Sequence, residues 1–407
     1  MSVGIEKLRA YPSTLSLSLG ALADARGRSR EETTERLLVE ERSVMPPWED
    51  PVTMAVNAAA PLLDDAERAD VGLLIVGTET PVDLEKPIST WVHRFLELPS
   101  SCRNFEIKHA CYSVTAATQM ALGWLGTPAG RGRKALVVGT DASLLGIGEP
   151  YEFVLGAGAV AVVLSHQPSF LELEPGRSGV YAAEVTDVIR PSRRVETGSS
   201  EESLFAYLEA VDGAYDAYEE VVGEADFGAR FAHVVYHAPF GGITFRAHKA
   251  LSGRNPESTK AAAWADFERR SLPGLVHHRR TGGVYGGSTF LSLLGMADAR
   301  DDLSPGDRVG IFSFGSGSCA ELYDGVVGPR AREVAARAET RAQLDARDPI
   351  DVGTYERLER WRDASVAKAD LTIDRGALGD HYERRWAGRG RCVLRGVSGW
   401  VRDYAWS

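Results

Sequence analysis

Residues 71–80 read VGLLIVGTET, an apolar, β-branched run that stops abruptly at Gly77, Thr78, Glu79 and Thr80. A short continuous apolar run without helical spacing reads as a strand buried on both faces, as in parallel sheets. Three more stretches obey the same rule: Lys134–Gly139 (KALVVG), Phe231–Tyr236 (FAHVVY) and Arg308–Ser313 (RVGIFS). They run into TDAS, HAPFGG and FGSGS. Longer amphipathic stretches alternate with these runs, so the chain reads as α/β. Polar residues just beyond buried strands lie at the carboxyl edge of the sheet, where α/β proteins bind ligands.

Working outward, the first two runs and the last two share a rhythm of strand, polar cluster, strand, polar cluster. That pattern suggests an internal duplication, with one half over 1–170 and the other over 171–407, folding as one body. Pro168 to Arg194 reads as strand-rich and ends in RPSRR, a loop. Glu201 to Val222 reads as a helix with Leu204, Tyr207, Leu208 and Val211 on one face. LGAGAVAVVL, starting at Leu155, contains GAGAV but lacks the strand–turn–helix context of a dinucleotide site, and reads as a close-packed strand. After Gly328 the chain turns to a charged, Ala-rich helical stretch and closes with CVLRGVSGWVRDYAW.

The 407 residues are 44% hydrophobic, enough for a large core, and carry a formal charge of −11. That balance disfavours nucleic acid or an anionic membrane as main partner, while leaving room for an acidic protein facing a local basic patch. The opening MSVGIEKLRAYPSTL has no signal-peptide pattern, and the apolar run from Leu155 to Leu164 is too short to span a bilayer. Four cysteines without CxxC or Cys/His spacing predict neither a disulfide framework nor a zinc site. A soluble cytoplasmic protein with free thiols is the expectation.

Three residue types suited to thioester chemistry stand at predicted strand ends. Cys111, in FEIKHACYSVTAATQMALGWL, sits between a short strand and an Ala-rich helix starting near Tyr112. A helix N-terminus there would lower the thiol pKa and supply a thiolate nucleophile. The plainer alternative is a small buried hydrophobe, which is how Cys102, Cys319 and Cys392 read. Glu79 is either a capping or solvated carboxylate or a general base raised by partial burial. His237 precedes Pro239 and the Gly241–Gly242 pair, which favour a turn exposing the imidazole; a satisfied structural histidine is the alternative. GSGS, Gly315 to Ser318, is a tight turn or a place where backbone N–H groups approach a thioester oxygen. It is not a Walker loop.

Taken together, VGTET, FEIKHACYSVTAAT, YHAPFGG and IFSFGSGSCAELY resemble the 3-hydroxy-3-methylglutaryl-CoA synthase family, in order from about residue 1 to 327. The resemblance implies a thiolase-like, duplicated five-layer αβαβα fold and, by analogy with that fold, a homodimer. EDPVTMAVNAAAPLL, FEIKHACYS and HAPFGGITFRAHKAL look most like the branch that installs β-carbon branches on polyketide chains held by acyl-carrier proteins. Primary-metabolism members usually carry a Lys in the turn where Gly241 and Gly242 stand here. In TGGVYGGS, Gly283 replaces the Asn that often contacts the acceptor, with Tyr285 in the same substrate-lining segment.

The resemblance further implies that Cys111 takes an acetyl group and Glu79 removes a methyl proton. The N–H groups of Cys111 and Ser316, beside Gly315, hold the enolate oxygen, and His237 polarises the acceptor ketone. Substrates are phosphopantetheine thioesters on donor and acceptor acyl-carrier proteins or coenzyme A, with no bound cofactor or metal. Basic clusters at Arg26, Arg28 and Arg30, at Arg190, Arg193 and Arg194, and at His277 to Arg280 are candidate carrier-docking sites. The alternatives are a primary-metabolism synthase using acetyl-CoA and acetoacetyl-CoA, a ketosynthase-like condensing enzyme, and a non-catalytic carrier-docking scaffold. Ketosynthases usually pair the cysteine with His/Asn or two His, which Glu79 does not fit.

Overall fold

The computed structural model describes residues 2–142, 146–192, 195–224 and 226–407. Nine strands form one hydrogen-bonded series: β1 (Val3–Pro12), β2 (Val71–Gly77), β3 (Arg103–Ile107), β4 (Lys134–Ala142), β5 (Ala157–Ser165), β6 (Leu171–Ala182), β7 (His233–Tyr236), β8 (Arg308–Gly315) and β9 (Cys319–Val327). Their order across the sheet is β3-β2-β4-β5-β1-β6-β9-β8-β7. Inward from one end, β3, β2 and β4 are parallel, and β5 and β1 follow antiparallel. Inward from the other end, β7 and β8 are parallel, and β9 and β6 follow antiparallel. The two series meet where β1 pairs with β6, so the rhythm seen in the sequence is a repeated strand topology. At that seam a Cβ on Gly4 would stand 2.2 Å from the Leu171 carbonyl oxygen, which only glycine tolerates.

The apolar runs are continuous because both faces of each half-sheet are covered. In β2, Leu73 and Ile75 face an inner core, and Leu74 and Val76 an outer one. In β8, Val309 and Ile311 face the same inner core, and Phe312 and Phe314 a second outer one. Helices α1 (Pro51–Ala59), α2 (Ser113–Leu125), α3 (Ser200–Val222), α4 (Gly241–Ser252) and α5 (Gly287–Ala299) fill the layers. α2 and α5 contribute to the inner core, α1 covers the first half-sheet, and α3 and α4 cover the second. The result is the five-layer αβαβα arrangement.

Two features depart from expectation. The Ala-rich stretch after Gly328 is two short helices, Ala331–Ala338 and Thr340–Asp345, broken at left-handed Glu339 (φ 53°). The closing segment is a hairpin, Cys392–Ser398 with Val401–Trp406, that packs on the outer core of the first half rather than the second. Asn57 of α1 clamps it, donating to the Cys392 carbonyl (3.1 Å) and accepting from the Cys392 N–H (2.8 Å). Among the described residues no helix is long and apolar enough to cross a membrane.

Candidate active site

Parallel strands β3, β2 and β4 deliver their carboxyl ends to one place. Thr78 N–H donates to the Ile107 carbonyl (3.2 Å), which sets the turn after β2 against the segment leading to Cys111. Glu79 then reaches across: its Oε1 accepts from the Ala110 N–H, one residue before Cys111. Ala110 holds a left-handed φ of 41°, a conformation unfavourable for a residue with a Cβ and found where a site imposes it. Burial raises the Glu79 carboxyl above its ordinary range, against Lys108, the Ala110 bond and Arg190.

Asp141, near the end of β4, organises this turn and was not among the residues singled out from the sequence. Its Oδ1 accepts from the N–H of Glu79 (2.8 Å) and Thr80 (3.0 Å) and from the hydroxyls of Thr78 (3.1 Å) and Thr80 (2.9 Å). Its Oδ2 has no partner among the described residues. Burial pushes the carboxyl up to about 8 despite those donors. TDAS carried the same strand-end signal as TET, so Asp141 was legible by the rule that found Glu79.

Cys111 lies in a short 3-10 turn, Ala110–Tyr112, ahead of α2, and keeps partial exposure. The expected low thiol pKa does not hold. Burial first, then Asp141, Glu79 and Glu196, push it well up, with Arg190 opposing. Burial of the sulfur, reinforced by three neighbouring acidic side chains, sets the direction of that shift. Tyr112 fixes the turn to the other half by donating to Glu321 Oε2 (2.7 Å).

His237 follows β7, its N–H donating to the Phe312 carbonyl (2.7 Å). The turn does not expose it: the residue is fully buried, and neither ring nitrogen has a partner among the described residues. Burial, with His278 nearby, lowers its pKa to about 3, so the ring is neutral. Gly315 ends the adjacent β8 and lies against the cysteine turn, where a Cβ would come 2.6 Å from the Tyr112 nitrogen. Ser316 follows, partly exposed, and Gly317 N–H donates to buried Asp187 (3.1 Å). The second half-sheet therefore brings Gly315 and Ser316 to the cysteine turn.

Gly283 is pinned by backbone, donating to the Val154 carbonyl (2.7 Å) and accepting from Gly156 (2.8 Å). A Cβ there would stand 2.6 Å from the Pro239 carbonyl oxygen, so its glycine serves packing as well as lacking a side chain for the acceptor. Gly242 is similar: a Cβ would meet the Arg36 carbonyl oxygen at 2.0 Å, so residues 36–38 fill the space of any side chain in that turn.

The basic clusters are mostly spoken for. Arg26 donates to both oxygens of Glu152 (2.9 Å each) and pairs with Glu356 (2.8 Å). Arg30 is exposed but pairs with Asp24. His277 and His278 are buried, while Arg279 and Arg280 pair with Glu40, Glu41 and Asp345. Arg190 points into the site instead of standing free. Arg193 and Arg194 lie outside the described residues. Among the described residues no His/Cys/Asp/Glu group is arranged to hold a metal.

The family description "Hydroxymethylglutaryl-coenzyme A synthase N terminal" matches residues 2–168, and its "C terminal" counterpart matches residues 242–375. The chain is 34% identical to the polyketide biosynthesis 3-hydroxy-3-methylglutaryl-ACP synthase PksG of Bacillus subtilis, over 100% of this chain and 99% of that one. It is 28% identical to the hydroxymethylglutaryl-CoA synthase of Enterococcus faecalis, over 88% of this chain and 91% of the other. Among solved structures it superposes on the HMG synthase of the curacin biosynthetic pathway with a TM-score of 0.94 and 37% identity, covering both chains fully. That synthase is also known in complex with acetyl donor-ACP.

Proposed function

The chain belongs to the hydroxymethylglutaryl-coenzyme A synthase family, and from that membership we propose that it builds β-branches on polyketide chains carried by acyl-carrier proteins. The greater likeness to carrier-dependent relatives than to a CoA-dependent one, over the full length, favours this branch.

In the proposed cycle, Cys111 sulfur attacks the acetyl thioester of a donor carrier. The donor's phosphopantetheine thiol leaves with the proton that Cys111 gives up, so a protonated resting thiol is no obstacle. Glu79 carboxylate takes a methyl proton from the acetyl group, and the C–H electron pair passes to the thioester oxygen as an enolate. The N–H groups of Cys111 and Ser316 hold that oxygen; one such donor is worth about 3 kcal/mol in other enzymes. The enolate carbon bonds to the β-ketone carbon of the acceptor, whose oxygen is polarised by the neutral N–H of His237 and takes back the proton that Glu79 removed, restoring the carboxylate. Water then cleaves the Cys111 thioester, freeing the thiol and leaving a branched 3-hydroxy acid on the acceptor carrier. Phosphopantetheine thioesters are the only groups the scheme requires.

The single observation that carries this assignment is the bond from Ala110 N–H to Glu79, which sets a carboxylate raised by burial beside the cysteine turn. The test is incubation with acetyl-carrier and β-ketoacyl-carrier, read by intact mass. Acetyl on Cys111 followed by a branched product on the acceptor is expected; a chain that never gains acetyl overturns the assignment in favour of a docking scaffold. Faster turnover with acetoacetyl-CoA than with its carrier-bound form would move it to primary metabolism.

A homodimer accompanies this reading. β3 ends the sheet with an outer edge that no described strand covers, and Met120 on α2 is 54% exposed. A second copy would cover both beside the cysteine turn, and light scattering would show twice the monomer mass. Two halves over 1–170 and 171–407, and a cytoplasmic location, complete the proposal.

A further inference from the structure

The strands Val188–Ser192 and Val195–Gly198 form a small hairpin apart from the main sheet. Val188, Ile189 and Val195 on it are exposed, while Arg190 and Glu196 are drawn inward. The Arg190 guanidinium spends its donors on three elements. Nε and Nη2 bond Glu196 within the hairpin, Nη1 donates to the Glu79 carbonyl (2.6 Å), and Nη2 donates to the Tyr285 hydroxyl (2.5 Å). The guanidinium carbon also lies 5.6 Å from the centre of the Tyr285 ring.

We propose that Arg190 is a positioning residue for the condensation step, tying the Glu79 main chain to the Tyr285 hydroxyl. The inference rests on the functional reading above and assigns Arg190 to the site rather than to a carrier-docking face.

Three observations converge on it. Glu79 is held at three points, its carboxylate by the Ala110 N–H, its own N–H by Asp141 and its carbonyl by Arg190, so removing Arg190 loosens the carbonyl side of the base. Tyr285 has a left-handed φ of 48°, a costly conformation for an aromatic residue, and the Arg190 bond is the hydrogen bond its hydroxyl makes there. The Glu79 carboxyl, raised by burial, is held down by Lys108, by the Ala110 N–H and by Arg190, so Arg190 acts on the base by charge as well as by bonding. A planar fork that reaches two acceptors on different elements while paired to a third suits arginine and not lysine, whose ammonium is a single point charge.

The test separates loading from proton removal. Wild type, R190M and R190K would be compared in acetyl loading of Cys111 by mass, in deuterium exchange into the acetyl methyl group of the loaded protein in D2O, and in condensation. Loading should stay within about threefold of wild type in both variants. Exchange and condensation should fall about 30- to 100-fold in R190M, the loss of charge-assisted hydrogen bonds. In R190K they should fall about tenfold, since one of the two acceptors is regained. The inference is overturned if R190M exchanges and condenses within about threefold of wild type. It is equally overturned if loading, exchange and melting temperature all drop together, which marks a purely structural arginine. A wild type that never loads acetyl overturns the functional reading, and this inference with it.

Discussion

On the first half-sheet's edge, Glu79 and Asp141 sit in a mesh of hydrogen bonds, four of them converging on one Asp141 oxygen. On the second half-sheet's edge, the buried imidazole of His237 meets no hydrogen-bond partner among the described residues. One topology repeated twice thus ends in two opposite environments. The meshed edge suits a base and a nucleophile whose positions must hold as protons move. The unbonded edge suits a neutral donor whose unspent N–H waits for a substrate oxygen, since an orphaned buried polar group in a native fold calls for a use.

The sharpest way to break this contrast is to remove one reacting group from the meshed edge at a time. Cys111→Ala should abolish acetyl loading altogether, seen as no mass gain from an acetyl-carrier. Glu79→Ala should load normally and condense about 10²–10⁴-fold more slowly, the usual range for a lost acid/base group. Loading lost in both variants would mean that Glu79 serves the cysteine and not the methyl proton. From the unbonded edge, His237→Ala should also load, with condensation down about 10²-fold or more. Because the ring is already neutral down to about 3, the pH profile of wild-type condensation should show no inflection near 6.5 from this group.

The two edges should also pull stability in opposite pH directions. Asp141 has a folded value of about 8, far above an unfolded aspartate, so the folded chain holds a proton that the unfolded chain has lost. Its contribution is complete below about pH 4 and is lost as pH rises through 8. His237 has a folded value of about 3, so below about 6.5 the unfolded chain takes up a proton that the folded chain refuses. Its contribution is complete at neutral pH and is lost as pH falls towards 3. Asp141→Asn should therefore flatten the stability curve between pH 5 and 8 by on the order of 4 kcal/mol, and His237→Asn between 6.5 and 4.5 by on the order of 2 kcal/mol. Thermal melts at pH 4.5, 6.5 and 8 would check both. A single variant flattening both sides would sink the idea of two distinct environments.

The strands of both edges were legible because they are buried on two faces, which makes their apolar runs continuous and their polar stops abrupt. VGLLIV and RVGIFS needed no tertiary knowledge to find. Helix α3 was found too, though its deepest face adds Ala210, Ala214, Tyr215 and Tyr218 to the expected Tyr207 and Val211. What stayed hidden was environment. Whether His237 is exposed or buried depends on β8 and on the segment carrying His278, both far along the chain. Whether Cys111 is ionised depends on Asp141 and Glu196, which no local window joins to it. Arg190 looked like part of a surface cluster because its acceptors, Glu79 and Tyr285, lie 111 and 95 residues away.

The smallest effect should come from adding one methyl group to the unbonded edge. Gly283 lies between the Val154 and Pro239 carbonyls, where a Cβ would meet their oxygens at 3.1 and 2.6 Å. Both are backbone atoms, so neither can swing aside as a side-chain tip would. Pro239 stands two residues after His237, and a shift forced there passes to an imidazole with no hydrogen-bond partner among the described residues. Gly283→Ala should cost roughly 1–3 kcal/mol of stability, the usual range for overpacking. Condensation should fall several-fold while acetyl loading is unchanged, because the cysteine turn keeps its own mesh. Calorimetry beside loading and condensation rates would tell. If the methyl slowed loading as much as condensation, the two edges would be one mechanical unit, and their contrast in bonding would have no consequence for which step each one serves.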